Sequence, residues 1–315
     1  MGKIAFIFPG QGSQSVGMGQ DLFNNYDSAK DIFYKADEII QNISNICFNG
    51  PEEDLKLTIN TQPAILTVSL AAYEVLKSNL NITPDYTAGH SLGEYAAMYA
   101  ADVLDLASTI QIIEKRASLM NEAALSSSGS MAAVLGMAQE KIEEIINNSE
   151  IEGIVSIANY NSPDQIVITG EMEPVKKASE LLSQNGAKRV IPLAVSGAFH
   201  SALMKDASIE FANFISAYKI NNATRPIITN VDAKETINSN EFIEKMPRQI
   251  YSSVYWTQTI QYMIKCGVDT FIEIGPGKVL SGLNKKIDSN IKTYNVYDSA
   301  SLNATIEALK TPQTI

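Results

Sequence analysis

The sequence predicts an α/β protein built on a mostly parallel sheet, interrupted by a small inserted domain. Three observations carry this reading. Short apolar runs alternate with helical stretches from residue 4 to residue 124. A glycine-flanked turn, Gly89-His90-Ser91-Leu92-Gly93, joins a short strand to a helix-forming run. Residues 127–196 then follow their own order, β-α-β-β-α-β, which is the ferredoxin-like arrangement.

Ile4–Phe8 is a strand that ends at Pro9-Gly10. Gln62–Leu80 carries apolar residues at helical spacing, and Tyr86–Ala88 is a brief strand before the glycine turn. Asp105–Ala124 is a long helix, with Asp105 as its N-cap and Leu106, Ile110, Ile113, Ala117 and Met120 as its buried stripe.

The run Ser126–Ser130 marks a linker before the inserted segment. "GSMAAVLGM" is a strand and "QEKIEEIINN" a helix. "IVSIANY" and "QIVITG" are strands joined by the turn Asn161-Ser162-Pro163-Asp164. "MEPVKKASELLSQNG" is a helix closing on Gly186, and "KRVIPLAV" the last strand. The expected domains are therefore a discontinuous core, residues 1–126 and 197–315, and an insert, residues 127–196.

The chain has 315 residues, 45% hydrophobic and 19% charged, enough to bury a sizeable core. No apolar run reaches the roughly 20 residues of a membrane helix, and Lys3–Pro9 is too short for a signal-peptide core, so a cytoplasmic protein is expected. Two distant cysteines, Cys47 and Cys266, and two histidines argue against a disulfide framework or a zinc site. A formal net charge of −11 argues against nucleic acid, and any acidic partner must dock on a local basic patch.

The turn Gly89–Gly93 fits G-x-S-x-G, in which two glycines let strand and helix approach closely around an exposed serine hydroxyl. Such a serine needs a general base, and histidine suits because its pKa lies near working pH. His90 is the neighbour of Ser91, and adjacent side chains on a sharp turn point apart. That leaves His200, in the stretch Ser196–Ser201. A purely structural turn at Ser91 and a satisfied histidine at a domain junction remain the competing readings. Acyl chemistry also needs donors for an oxyanion. The Leu92 amide at a helix N-terminus supplies one, and the Gly10-Gln11-Gly12 loop after the first strand can supply another. That loop lacks the Lys-Ser/Thr of a phosphate-binding Walker motif, because Met18-Gly19 stand in its place.

These stretches resemble the malonyl-CoA:acyl-carrier-protein transacylases of type II fatty-acid synthesis. The likeness runs through "FIFPGQGSQSVGMG", "TQPAIL", "AGHSLGEYAA", the Arg116 helix, "NYNSPDQIVITG", "GAFHS", "NVDA", "RQIYSSVYWT" and "EIGPGKVLSGL". It implies an α/β-hydrolase-like core with an inserted ferredoxin-like subdomain. It also implies Ser91 as nucleophile, His200 as base, and the Gln11 and Leu92 amides as oxyanion donors. Arg116 falls on the carboxylate-binding position, where a planar guanidinium grips a free carboxylate bidentately. Gln249 matches the position whose main-chain carbonyl holds the imidazole.

Malonyl-CoA and an acyl carrier protein are the expected partners, with no metal or other cofactor, and a monomer is the expected state. Lys188, Arg189, Lys278, Lys285 and Lys286 are the expected docking patch for the acidic carrier. Phe199 stands where it would crowd a methyl branch on the acyl group. Two other functions compete: a serine hydrolase sharing the turn, which would want an acidic partner for His200, and a CoA- or carrier-binding module without catalysis.

Overall fold

The computed structural model describes residues 2–147, 151–195 and 197–310. Within these residues the strands are β1 (Lys3–Phe8), β2 (Tyr86–Gly89), β3 (Gly129–Leu135), β4 (Val155–Ser162), β5 (Gln165–Glu171), β6 (Arg189–Pro192), β7 (Ile227–Ile228), β8 (Glu235–Thr236), β9 (Val268–Ile274) and β10 (Lys292–Val296).

Six of them form the central sheet, in the order β10-β9-β1-β2-β7-β8, parallel throughout except that β8 turns back on β7. β1 is buried from Ile4 to Phe8, as a strand covered by helices on both faces must be, which is why its sequence is continuously apolar rather than alternating. Its register pairs Phe8 with Gly89. The carboxyl ends of β1 and β2 therefore lie side by side, and the Gln11 loop and the Ser91 turn leave the sheet together. Ligands of open parallel sheets bind at this end.

The helix predicted from Gln62 begins earlier and runs Thr58–Asn79, with Pro63 inside it. It is buried continuously from Thr61 to Ala72, so it shows little amphipathic contrast. Helix Leu106–Ser126 has the predicted cap: the Asp105 carboxylate accepts from the Ser108 amide at 2.8 Å. Ile110, Ile113, Ala117 and Met120 are buried as expected, while Leu106, at the exposed start of the helix, is only half-buried.

The second sheet is antiparallel, in the order β4-β5-β3-β6, with helices Gln139–Ile146 and Met172–Gln184 between its strands in sequence. Alternation sorts its two faces. Ala132, Val134, Ile157, Ile166 and Ile168 pack on those helices, while Met131, Ala133, Ala158 and Val167 join the main core. Some boundaries differ from the sequence reading. β4 extends through Ser162, so Pro163-Asp164 alone make the hairpin turn, and β6 stops at Pro192 instead of Val195. Helix Leu106–Ser126 absorbs the start of the expected linker, leaving Ser127 and Ser128 before β3. Asn148, the expected end of the first insert helix, and Ser196, the expected domain boundary, lie outside the described residues.

Candidate active site

Ser91 sits between β2 and helix Gly93–Ala100 with φ of 51°, in the left-handed region that a side chain enters only at a cost. Steric facts require both flanking glycines. A Cβ on Gly89 would lie 1.9 Å from the Gly93 carbonyl carbon, and one on Gly93 would lie 2.2 Å from the Phe8 oxygen. Strand and helix thus cross too closely for any side chain, and the hydroxyl is lifted off the sheet edge.

The structure brings Ser91 and His200, 109 residues apart, to a hydrogen bond of 2.8 Å between Oγ and Nε2. His200 also has a positive φ, 59°. Its Nδ1 faces two main-chain carbonyl oxygens, Gln249 at 2.9 Å and Ser252 at 3.1 Å. Carbonyls only accept, so Nδ1 carries the proton and Nε2 is left to accept from Ser91. The acidic partner that a hydrolase would want for His200 is not among these contacts. His90 points elsewhere, its Nε2 at 2.8 Å from Asn161 Oδ1.

Arg116 is 1% exposed. Nη2 donates to Ser91 Oγ at 3.1 Å and to Gln249 Oε1 at 2.9 Å, and Nη1 donates to Gln62 Oε1. Its Nε has no hydrogen-bond partner among the described residues. The guanidinium also lies over the Tyr95 ring, 5.5 Å from the centroid. The cation is thus buried with only neutral partners, two amide oxygens and the Ser91 hydroxyl, and it stands behind Gln62 and Ser91, which line the cavity, rather than lining it itself.

Burial pushes the His200 imidazole down to about 3, and the Arg116 cation adds to that; the two carbonyls on Nδ1 oppose it. The His200 imidazole is therefore neutral over the ordinary pH range. Burial pushes Glu94, beneath the turn, up to about 7, against the pull of the Asn230 amide and of Arg116.

Gln11, Leu92, Ser91, His200 and Phe199 line one cavity of about 110 Å³, with Met131, Asn159, Leu193 and Val195 on the antiparallel-sheet side. Neither the Gln11 nor the Leu92 amide donates to a described residue. An outer groove of about 430 Å³ shares Gln11, His90 and Asn159 with it and continues to Val279, Leu280 and Leu283. Lys188, Arg189, Lys278, Lys285 and Lys286 are all exposed.

Four contributors were not assigned from sequence: the Gln62 side chain, the Gln249 carboxamide, Glu94 and Asn230. Each lies inside a stretch quoted above, "TQPAIL", "RQIYSS", "AGHSLGEYAA" and "NVDA". No spacing rule says which polar side chain in a motif turns inward.

Known proteins agree with this architecture. The chain matches the acyl transferase domain family over residues 5–306. It is 47% identical over 312 residues to the malonyl CoA-acyl carrier protein transacylase of Bacillus subtilis, covering 98% of each chain. Among solved structures it is similar to an acyl carrier protein S-malonyltransferase from Vibrio cholerae, with a TM-score of 0.93 and 40% identity, over 96% of this chain and 99% of that one. It is also similar to a malonyl-transacylase solved in complex with a holo type II PKS acyl-carrier protein, with a TM-score of 0.94 and 37% identity, over 97% and 99% of the two chains.

Proposed function

Because the chain belongs to the acyl transferase domain family, we propose that it carries malonyl from malonyl-CoA to the phosphopantetheine thiol of an acyl carrier protein, through a malonyl-Ser91 intermediate. The observation that carries this reading is the 2.8 Å contact of Ser91 with His200, made beside the buried Arg116. The Bacillus subtilis relative is named for malonyl CoA and acyl carrier protein together, and the two solved structures are named for malonyl transfer and acyl carrier protein.

In the first step His200 Nε2 takes the Ser91 proton as Oγ attacks the thioester carbonyl. The Gln11 and Leu92 amides receive the negative charge on the tetrahedral oxygen. Collapse breaks the C–S bond, and the imidazolium returns its proton to the departing CoA sulfur. In the second step the carrier thiol gives its proton to His200, its sulfur attacks the acyl-serine, and the Ser91 oxygen leaves and regains a proton. Arg116 grips the malonyl carboxylate throughout. With main-chain carbonyls behind it, the imidazole keeps its tautomer, though the imidazolium gains less charge stabilisation than a carboxylate would give. Every proton and electron pair is accounted for without a cofactor, and we propose none.

For the carrier we propose docking over Lys188, Arg189, Lys278, Lys285 and Lys286. Two of these belong to the helix Val279–Ile287, whose Val279, Leu280 and Leu283 line the outer groove. Leu193, Ala194 and Val195, just beyond the strand that Arg189 begins, line the same groove. Reversing Lys285 and Lys286 to Glu should raise KM for the carrier and leave acylation by malonyl-CoA intact.

The decisive experiment omits the acceptor. With malonyl-CoA alone, about one equivalent of CoA should appear as a burst, and mass spectrometry should find malonyl on the peptide carrying Ser91. Steady CoA release without an adduct would replace the transferase reading with a hydrolase.

A further inference from the structure

The backbone on either side of His90 raises an accounting question. The Gly89 carbonyl ends a buried strand, and the Ser91 amide lies two residues before the helix Gly93–Ala100, outside the hydrogen bonds of either element. One side chain answers for both. Asn230 Oδ1 accepts from the Ser91 amide at 2.7 Å, and Asn230 Nδ2 donates to the Gly89 oxygen at 2.6 Å. The single carboxamide thus bridges the turn, with its acceptor and its donor each used on the atom that needs it.

Asn230 is itself fully buried and held at both of its main-chain polar atoms. Its amide donates to Glu94 Oε2 at 2.6 Å, and its carbonyl accepts from the Tyr255 amide at 3.0 Å. Glu94 lies in the first turn of the helix that Ser91 precedes. Tyr255 closes the segment 252–255, in which the Ser252 carbonyl faces His200 Nδ1. The nucleophile's turn and the imidazole's anchor are therefore tied through one asparagine.

We propose that Asn230 is a positioning residue for acyl transfer, locking the strained Ser91 turn so that Oγ meets His200 and the Leu92 amide faces the cavity. This rests on Ser91 being the nucleophile. A positive φ at a non-glycine residue persists only where its surroundings hold it; here Asn230 holds the Ser91 amide and the Gly89 carbonyl, while Gln249 Nε2 donates to the Ser91 carbonyl at 2.9 Å. Misplacement of a reacting atom by about 1 Å costs on the order of 100-fold in rate.

The test uses the full chain and a small uncharged phosphonofluoridate, which reacts with an activated serine and makes no demand on Arg116. Asn230→Ala should lower the labelling rate of Ser91 by about 100-fold and lower kcat for malonyl transfer in step. KM for malonyl-CoA should stay within about threefold, because the carboxylate clamp is untouched. Asn230→Asp keeps the size and the acceptor while removing the amide donor. It should show the same split, and it decides the question alone if the alanine variant does not fold. Wild-type labelling in either folded variant would overturn the proposal, as would a rise in KM that accounts for the whole loss. Failure of the underlying reading is distinguishable, since the unmodified protein would then neither label at Ser91 nor acquire malonyl there.

Discussion

On the core side of the cavity, Ser91, His200, Arg116 and Gln249 are joined by hydrogen bonds of 2.8 to 3.1 Å. The antiparallel sheet and the chain after it face the same space with the apolar Met131, Leu193 and Val195 and one polar side chain, Asn159. Directional bonds make the first region a unit, in which removing one member leaves another buried polar atom without a partner. The second acts through area and shape, where losses scale with the methyl groups removed. The hydrogen-bonded network thus belongs to the core, and the insert contributes mostly apolar surface.

The largest expected effect tests the unit itself. His200→Ala should lower acylation of Ser91 by about 10⁴-fold, near the upper range for a general base, and Ser91→Ala should abolish the adduct. Burst kinetics with malonyl-CoA read both. If His200→Ala acylates within tenfold of wild type, the core side is not an interdependent unit.

Next comes Arg116. Arg116→Ala should cost about 100- to 1000-fold in kcat/KM for malonyl-CoA, the range for breaking a buried charge pair. Acetyl-CoA, which has no carboxylate, should be used poorly by the wild type. In the variant the preference of malonyl over acetyl should collapse. A variant that keeps malonyl rates and gains nothing with acetyl would contradict the clamp.

Arg116 also shapes the pH dependence. Because burial and the Arg116 cation push the His200 imidazole down to about 3, it stays neutral as pH falls, and Ser91 labelling by the uncharged phosphonofluoridate should hold level from pH 8 to about 5. Removing the neighbouring cation in Arg116→Gln favours the imidazolium, so the acid limb should move to higher pH. A limb already near 6.5 in the wild type would show that burial does not govern the histidine.

The smallest effects belong to the insert-facing side. Leu193→Ala or Val195→Ala should raise KM for malonyl-CoA a few-fold, in keeping with about 1 kcal/mol for half-buried methyl groups, and should leave Ser91 labelling unchanged. Phe199, 5% exposed and lining the cavity, sharpens the contrast. Phe199→Ala should improve methylmalonyl relative to malonyl. A labelling loss in the Leu193 or Val195 variant would erase the distinction between the two sides.

What the sequence determined alone was whatever depends on short-range rules. The parallel core followed from alternating strands and helices, the insert from its β-α-β-β-α-β order, and the Asp105 cap from one side chain before a periodic helix. The Ser91 turn followed from two glycines, because close backbone crossing excludes every other residue there. Scarcity singled out His200, since a chain with two histidines leaves little choice. Where β4 and β6 end was not legible, because strand limits depend on partners as much as on composition. The tertiary structure alone decided the contacts of Arg116 with Gln62 and Gln249, and the bridging of Gly89 and Ser91 by Asn230. Such bonds join residues 54, 133 and 139 positions apart. A polar side chain's partner is fixed by which backbone atoms the packed core leaves unpaired, and that becomes known only when distant segments have met.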